Sequence, residues 1–313
     1  MYKDLLKKIK EYKNICIYRH IRPDGDSVFS QFALATFIRD NFKDKRVEMC
    51  GSQEYDLLPY KNSVDEDFLK NSLVICVDTA SCGRVDDLSY EKGDYIIKID
   101  HHPETDPYGD INIVDDKCSS TTELLAKIFY SKEFKGLKIS KDVCIYLYSG
   151  ILTDSNCFST SSTSSDTLFY ASKLTKDGGF DISALNNYLF DLDIKKYNSI
   201  SSLRNELKIK KGVGYIIADK NTLKKLKMDV NDAKNAIDEF NHIKGLKIWS
   251  IFAYNAKTGL FDVSVRSNSR YTINTLCTKF NGGGHKNACG VKNLTLSQVK
   301  LLIKGLIEIA GKN

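Results

Sequence analysis

One short stretch near the amino terminus decides both the fold and the chemistry of this chain: His20-Ile21-Arg22-Pro23-Asp24-Gly25-Asp26-Ser27. An apolar run at residues 15–18 leads into it, and an amphipathic run at residues 28–38 follows it. This order predicts a β-strand, a polar turn and a helix. One imidazole and two carboxylates then lie at the carboxyl end of a strand, the edge at which open α/β sheets bind their ligands.

The side chains of His20, Asp24 and Asp26 are potential metal ligands. Mixed imidazole and carboxylate donors suit Mn, Fe or Zn better than Ca or Mg, which prefer oxygen alone. Gly25 permits the backbone turn that lets both flanking carboxylates face inward. The alternative is an ordinary Asp-Gly turn beside a surface histidine, and the stretch alone does not decide between the two.

Acidic and imidazole side chains follow further apolar runs: Asp78 after residues 73–77, Asp100-His101-His102 after residues 95–99, and Asp154 after residues 142–152. The first two runs are typical of buried strands in a parallel sheet, and we interpret the third as a buried helix. Because the carboxyl ends of parallel strands meet at one edge, we expect these side chains to converge. A single acidic strand end is often a turn or cap, but four in one domain favour a metal site.

The number of carboxylates also suits two divalent cations, since Asp24, Asp26, Asp78 and Asp154 carry four negative charges. Two ions about 3.5–4 Å apart can bridge a water, lower its pKa and hold a phosphoryl oxygen. The chain has a net charge of +6 and a pI near 8.6. That charge suits an anionic substrate but is too small for a protein that coats DNA.

Length and composition indicate a two-domain protein of a reducing compartment. The 313 residues suit two α/β domains, predicted at residues 1–195 and 208–313 with a connector at 196–207. Nine cysteines, with no Cys-x-x-Cys, argue against a disulfide framework. The amino terminus is a charged amphipathic helix rather than a signal peptide, and no apolar run is long enough for a membrane span. We therefore expect a cytoplasmic protein without membrane partners.

Residues 120–123 have the spacing of a capping box and predict a helix that begins there. Its amino terminus could bind a phosphate oxygen, or it could be a plain helix cap. The last third of the chain predicts a strand at 214–218, a hairpin at 247–254 and 260–266, and helices at 222–227, 229–242, 272–280 and 295–311. A single helix is expected at 181–206, and a glycine-rich loop at 281–285.

The chain resembles the DHH phosphoesterase superfamily, in particular the subfamily with a C-terminal DHHA1 domain and its nanoRNase/pAp-phosphatase type. The resemblance covers nearly the whole chain. Its motifs here are HIRPDGDS at 20–27, VDTA at 77–80, DHH at 100–102, LTDS at 152–155, VRS at 265–267 and GGGH at 282–285. It implies a parallel-sheet DHH domain, a smaller α/β DHHA1 domain, and an active site in the cleft between them.

The resemblance also implies roles for individual residues. His20, Asp24 and Asp78 would hold one metal, usually Mn²⁺, and Asp26, Asp78, His101 and Asp154 the second. Asp100 would orient a histidine, and His102 would reach the scissile phosphate. Substrate binding would fall to Arg266 and His285, with Gly283 and Gly284 of the glycine loop offering backbone N–H groups to a phosphate. Two departures from the family pattern, Phe29 and Asn156-Cys157, put the fine specificity in question.

The function so implied is a Mn²⁺-dependent phosphodiesterase that uses two metal ions. It would hydrolyse short oligoribonucleotides and linear dinucleotides such as pApA and pGpG to 5′-mononucleotides, with pAp phosphatase as an additional activity. The alternatives are a cyclic-di-AMP phosphodiesterase, an inorganic pyrophosphatase or exopolyphosphatase, and a non-catalytic nucleotide- or RNA-binding module. The sequence leaves the oligomeric state open, with a homodimer as one candidate.

Overall fold

The computed structural model describes residues 1–60 and 62–311, which fall into two compact units, Met1–Asp191 and Leu192–Asn313. Residues 196–207, for which the sequence predicts a connector, belong mostly to a helix. Ile200 and Leu203 of that helix are buried in a core of the second unit. The domain limits at residues 195 and 208 stay predictions.

The first unit is built on a parallel sheet of five strands in the order β2-β1-β3-β4-β5. The strands are β1 (Asn14–Tyr18), β2 (Arg46–Met49), β3 (Ser72–Val77), β4 (Tyr95–Asp100) and β5 (Ile111–Val114). Every residue of β3 is buried, as expected for a strand covered on both faces. The strand order reverses between β1 and β3, and ligands bind at such a switch point in open α/β sheets.

The α-helices that accompany this sheet among the described residues are α1 (Tyr2–Glu11), α2 (Gly25–Asn41), α3 (Glu66–Leu69), α4 (Thr121–Phe129), α5 (Lys141–Asp154), α6 (Ser165–Gly178) and α7 (Ile182–Phe190). Alternate strand residues bury against different cores, Ile15 and Ile17 on one face and Cys16 and Tyr18 on the other. The interpretation of residues 142–152 as a buried helix is confirmed by α5.

Two glycines let α2, α4 and α5 meet closely. A Cβ on Gly25 of α2 would lie 2.3 Å from Thr153 Oγ1 of α5. A Cβ on Gly150 of α5 would lie 2.3 Å from Thr122 Cγ2 of α4. Since no side chain fits at either contact, glycine is what allows the amino ends of α2 and α4 to reach the carboxyl end of α5.

The second unit contains a mixed sheet of six strands in the order β10-β11-β9-β8-β7-β6, in which only β7 and β8 pair in parallel among the described residues. The strands are β6 (Lys208–Lys210), β7 (Val213–Ala218), β8 (Ile248–Asn255), β9 (Leu260–Ser267), β10 (Gly283–His285) and β11 (Ala288–Leu294). The helices are α8 (Ile194–Arg204), α9 (Lys220–Leu226), α10 (Val230–Asn235), α11 (Asn274–Thr278) and α12 (Leu296–Gly311). The predicted fold class, a parallel-sheet domain with a smaller α/β domain, is confirmed, as is the hairpin of β8 and β9.

Three local predictions were wrong. The single helix at 181–206 is two helices, because Asp193 starts α8 by accepting a hydrogen bond from Lys195 N at 2.7 Å. The helix at 229–242 ends at Asn235 and continues as a 3₁₀-helix over Ala236–Phe240. The glycine-rich stretch predicted as a loop includes the edge strand β10, which pairs with β11. The sequence did not predict β11, because residues 288–294 contain glycine and asparagine, which have low strand propensity.

Candidate metal centre

Three neighbouring strands end at or beside residues of the proposed site. His20 lies two residues beyond β1, Asp78 follows β3 directly, and Asp100 is the last residue of β4. Asp78 has a left-handed φ of 53°, unusual for a residue other than glycine, and its N–H donates to Ile99 O at 2.9 Å. The chain therefore turns sharply at Asp78 while its backbone stays attached to β4.

The remaining carboxylates come from helix ends. Asp24 caps α2, where its Oδ1 accepts from Ser27 N at 3.0 Å and its Oδ2 lies 3.4 Å from His20 Nε2. Asp154 ends α5, and its Oδ2 lies 3.5 Å from His101 Nε2. Strand ends and helix ends thus bring together side chains that are far apart in sequence.

Asp26, in the first turn of α2, is bound by the amino terminus of α4. Its Oδ2 accepts from Thr121 N at 2.6 Å, and its Oδ1 accepts from Thr122 N at 3.0 Å and from Thr122 Oγ1 at 2.7 Å. The plain cap considered above is confirmed, since Ser120 Oγ accepts from Glu123 N at 3.0 Å, and the N–H groups of Thr121 and Thr122 at the same helix end bind the Asp26 carboxylate. A carboxylate has about four lone-pair sites, so three hydrogen bonds leave capacity for a cation.

The donor atoms form three groups, in each of which all atoms lie within 4.8 Å of one another. The groups are His20, Asp24 and Asp78; Asp26, His101 and Asp154; and Asp78, His101 and His102. Asp78 belongs to two of them, with Oδ2 3.3 Å from His20 Nε2 and Oδ1 3.6 Å from His101 Nε2. These donors fit a site for more than one cation, with Asp78 between the groups.

Both of these imidazoles are oriented by backbone carbonyls. His20 Nδ1 lies 2.9 Å from Ile21 O, and His101 Nδ1 lies 3.3 Å from Cys118 O. In each ring Nε2 therefore faces the carboxylates. Histidines that bind metals are usually held in this way, with the second ring nitrogen hydrogen-bonded to a carbonyl or carboxylate.

The electrostatics of the group favour a bound cation. Burial raises the pKa of Asp26, and the charge of Asp78 raises it further, to about 7. Burial and the charges of Asp26 and Asp78 hold the pKa of Asp154 well above its ordinary value. Burial lowers the pKa of His20, but its hydrogen bonds to Asp24 and Asp78 outweigh that effect and raise the pKa well above its usual range. Buried like charges resist ionising together, and a divalent cation relieves that cost.

A buried lysine that the sequence analysis missed lies beside the Asp100-His102 pair. Asp100 Oδ1 lies 2.8 Å from His102 Nδ1, and Asp100 Oδ2 lies 3.7 Å from Lys98 Nζ. The Lys98 side chain is fully buried and donates to Glu104 Oε1 at 2.8 Å and to two backbone carbonyls. Lys98 could have been identified from the sequence because it is a charged residue within the apolar run at residues 95–99.

The residues predicted to bind substrate lie together in the second unit. Ala288 of β11 pairs with Arg266 of β9 on one side and with His285 of β10 on the other. Because directly opposed residues share a face of a sheet, Arg266 and His285 lie on the same face. Arg266 Nε is 3.6 Å from Asp238 Oδ1. Gly284 has a φ of 134° and a Cβ there would meet Ala288 O at 2.3 Å, whereas Gly283 has open space at that position.

Comparison with known proteins settles the family. Residues 14–151 match the DHH family, N-terminal domain, and residues 212–312 match the DHHA1 domain. The chain is 35% identical over 300 residues to the probable bifunctional oligoribonuclease and PAP phosphatase NrnA of Streptococcus mutans, across 95% of each chain. This protein belongs to the DHH family. As a DHH-family protein it is a phosphoesterase, of a family that depends on metal ions.

Other relatives agree with this assignment. The DHH-family chain is 32% identical to the bifunctional oligoribonuclease and PAP phosphatase NrnA of Bacillus subtilis, over 92% of this chain and 91% of that one. An exopolyphosphatase-related protein from Bacteroides fragilis superposes with a TM-score of 0.87 over 98% of this chain and 95% of its own. At 22% identity that likeness shows the fold alone. Within residues 1–60 and 62–311, helices that could cross a membrane are absent.

The two departures from the family pattern lie next to the candidate ligands. Phe29 is buried on α2, with its ring 6.4 Å from those of Tyr55 and Tyr146. Asn156, Cys157 and Phe158 follow Asp154 with left-handed φ angles of 46°, 55° and 64°. The turn that leaves the metal centre therefore takes a conformation in which residues other than glycine are uncommon.

Proposed function

We propose that this DHH-family protein hydrolyses short oligoribonucleotides and linear dinucleotides, including pApA and pGpG, to 5′-mononucleotides with two Mn²⁺ ions. We further propose that it removes the 3′-phosphate of pAp and acts in the cytoplasm. The observation that carries the proposal is the set of three donor groups, two of which contain Asp78. The relatives named as bifunctional oligoribonuclease and PAP phosphatase support the choice of substrate.

The proposed ligands divide between the two cations. His20, Asp24 and Asp78 would hold one cation, and Asp26, Asp78, His101 and Asp154 the other. Mixed nitrogen and oxygen donors favour Mn²⁺ over Ca²⁺ or Mg²⁺. Bound divalent cations lower the pKa of a coordinated water and polarise a phosphoryl oxygen.

His102 and Asp100 form the proposed catalytic pair. Asp100 Oδ1 holds His102 Nδ1 at 2.8 Å, which makes Nε2 the ring nitrogen that would act at the scissile phosphate. The fixed ring avoids reorientation during the reaction, which is how positioned groups lower a barrier.

The substrate-binding role is assigned to the second unit. Arg266 presents a planar fork of donors that matches a phosphate, and His285 shares its sheet face. Gly283 and Gly284 can expose backbone N–H groups on the edge strand β10. We propose that these residues bind the part of the substrate that does not react.

A substrate panel tests this function. Chelator-treated protein is supplied with Mn²⁺ or Ca²⁺ and given pApA, pGpG, two- to five-residue RNAs, pAp, cyclic-di-AMP and pyrophosphate, with products separated by chromatography. We expect Mn²⁺ to restore hydrolysis of the linear dinucleotides and of pAp, and Ca²⁺ to restore much less. Undiminished turnover in excess chelator would exclude the metal mechanism. Preference for cyclic-di-AMP or pyrophosphate would select those alternatives, and binding without hydrolysis would select the non-catalytic module.

A further inference from the structure

The start of α4, together with the turn that leads into it, contacts three of the proposed metal ligands. The carbonyl oxygen of Cys118 lies 3.3 Å from Nδ1 of His101. Thr121 N donates to Asp26 Oδ2 at 2.6 Å, and Thr121 Oγ1 donates to Asp78 Oδ1 at 3.1 Å. One short segment therefore holds an imidazole and two carboxylates that converge from α2 and from the ends of β3 and β4.

The side chain of Glu123 holds this segment from the interior of the first unit. Glu123 is 2% exposed, and its Oε2 accepts hydrogen bonds from Ser119 N at 2.8 Å and from Ser119 Oγ at 2.7 Å. Ser119 N and Cys118 O belong to one peptide unit. Because that unit is planar and its N–H and C=O point in opposite directions, a fixed N–H also fixes the carbonyl that orients His101.

The same carboxylate oxygen binds the first turn of α6. Thr167 Oγ1 donates to Glu123 Oε2 at 2.8 Å and accepts from Ser164 N, the cap of α6, at 3.0 Å. A buried carboxylate is costly unless it is hydrogen-bonded, and here three donors and the positive end of α4 offset that cost. An apolar side chain at this position would leave Ser119 N and two hydroxyl groups without this acceptor.

The ligands of the other proposed cation are held differently. His20 Nδ1 lies 2.9 Å from the carbonyl oxygen of the next residue in the chain. Asp24 Oδ1 accepts from an N–H group in the first turn of α2 at 3.0 Å. Both ligands are therefore oriented within residues 20–27, the stretch that contains them, whereas the second group of donors is oriented by the start of α4.

We propose that Glu123 is a positioning residue for one of the two proposed cations, the one assigned to Asp26, Asp78, His101 and Asp154. It acts through the peptide unit that orients the imidazole and through the first turn of α4, which binds two of the carboxylates. This rests on the proposed function, because it adopts the division of ligands between two cations. Loss of the Glu123 acceptor loosens this cation site and leaves the other intact.

The test measures the two metal affinities separately. Chelator-treated full-length protein is titrated with Mn²⁺ by calorimetry, for the wild type, Glu123→Met and Glu123→Gln. Methionine keeps the length of the side chain and removes the acceptor, whereas glutamine keeps an oxygen for Ser119 N. We expect two ions per chain in the wild type. In Glu123→Met one of them should bind about 10- to 100-fold more weakly, the range for residues that orient metal ligands, and Glu123→Gln should recover to within about threefold of the wild type.

Glu48→Met is the matched control. Glu48 is a partly buried carboxylate on β2 that accepts from Arg46 Nε at 2.9 Å and from Asn62 Nδ2 at 3.3 Å, and its loss should change neither affinity. Equal weakening of both ions in Glu123→Met, or of neither, would overturn the proposal. A loss in Glu123→Gln as large as in Glu123→Met would also overturn it, because the effect would then come from charge and not from the acceptor.

Two further measurements complete the test. If Glu123→Met does not fold, Thr167→Val decides, since it removes one donor to Glu123 from α6: selective weakening of one ion supports the proposal and unchanged affinities overturn it. Backbone hydrogen exchange in chelator, followed by NMR, should rise about tenfold at both Ser119 and Thr121 in Glu123→Met. A rise at Ser119 alone would overturn the proposal, because the hydrogen bond would then not hold the start of α4.

The same titration keeps this proposal distinct from the proposed function. If the wild type binds two ions but hydrolyses none of the nucleotides, the proposed function fails while the affinities still decide the role of Glu123. If the wild type is active and the Glu123 variants show no selective loss of one ion, the positioning role fails alone. If the wild type binds fewer than two ions, both fail.

Discussion

The two candidate sites of this protein are built in opposite ways. In the first unit, Asp26, Asp78 and Asp100 are almost fully buried. The amino terminus of α4 binds Asp26 and Asp78, and His102 binds Asp100. In the second unit, β10 is the edge strand of the sheet and is exposed throughout, and Arg266 is partly exposed on β9, two strands inward. The first arrangement suits chemistry, which needs fixed geometry, and the second suits recognition of a variable ligand.

The largest difference between the sites should appear on loss of Asp78. Asp78→Asn keeps the size of the side chain and tolerates the left-handed φ, but removes the charge shared by two donor groups. We expect kcat on pApA to fall at least about 1000-fold, roughly 4 kcal/mol of transition-state stabilisation. Fewer than two tightly bound metals per chain should remain by elemental analysis. Asp142→Asn, at the exposed start of α5, is the control, and near-normal turnover in Asp78→Asn would exclude the bridging role.

The corresponding change in the second unit is Arg266→Ala. It removes a phosphate donor without touching a proposed ligand, so we expect kcat/KM on pApA to fall about 10- to 1000-fold with metal content unchanged. Bis-p-nitrophenyl phosphate, a small activated ester, needs little recognition and should lose much less. Arg204→Ala, an arginine of the same unit paired with Glu239, is the control. Equal losses on both substrates would show that Arg266 supports the fold or the metals, not the substrate.

A third substitution tests whether the buried ammonium group of Lys98 affects catalysis through Asp100 and His102. Lys98→Met removes the cation 3.7 Å from Asp100 Oδ2, and we expect a loss of about 10- to 100-fold in kcat, typical of residues that orient ligands and catalytic groups. In a protein that already carries His102→Ala, Lys98→Met should lower kcat little further. The effects of two substitutions are not additive when the two residues act together.

Two controls separate this role from a general loss of stability. Lys127→Met removes a lysine paired with Asp115 at 2.7 Å in the same unit and should leave kcat near normal. Glu104→Gln weakens the hold on Lys98 from a more exposed position and should give a smaller loss with the same dependence on His102. Additive losses in the double variant would place Lys98 outside the pair.

The contrast between the sites also explains what the sequence could predict. The proposed ligands could be found because an acid at the end of an apolar strand is visible in the chain and the topology of parallel sheets brings such ends together. The hydrogen bond from Thr121 N to Asp26 could not be predicted, because it joins residues 95 positions apart in the sequence. Helix-cap spacing predicts where a helix begins but not which group its amino terminus binds. Strand β11 was missed because its glycine and polar residues have low strand propensity, and pairing with β9 overrides that preference.

The last comparison concerns the free energy of unfolding and makes the same substitution in both units, Gly25→Ala and Gly283→Ala. The second of these should have the smallest effect of all. The new Cβ at residue 25 would lie 2.3 Å from Thr153 Oγ1 and 2.7 Å from Thr153 Cβ, so rotating the threonine does not make room. Overpacking of this kind costs about 1–3 kcal/mol. At residue 283 no described atom outside the two adjacent residues lies within 4 Å of the new Cβ, and the change should stay within about 0.5 kcal/mol.

Urea unfolding in chelator measures both effects, with a separate signal for the second unit. The single tryptophan, Trp249, is buried on β8, so its fluorescence follows that unit, while far-UV circular dichroism follows the whole chain. Gly25→Ala should lower the midpoint seen by circular dichroism and leave the fluorescence midpoint in place. Gly283→Ala should move neither. If both glycines tolerate alanine equally, then α2 and α5 can separate at little cost, and the first site is no more rigidly built than the second.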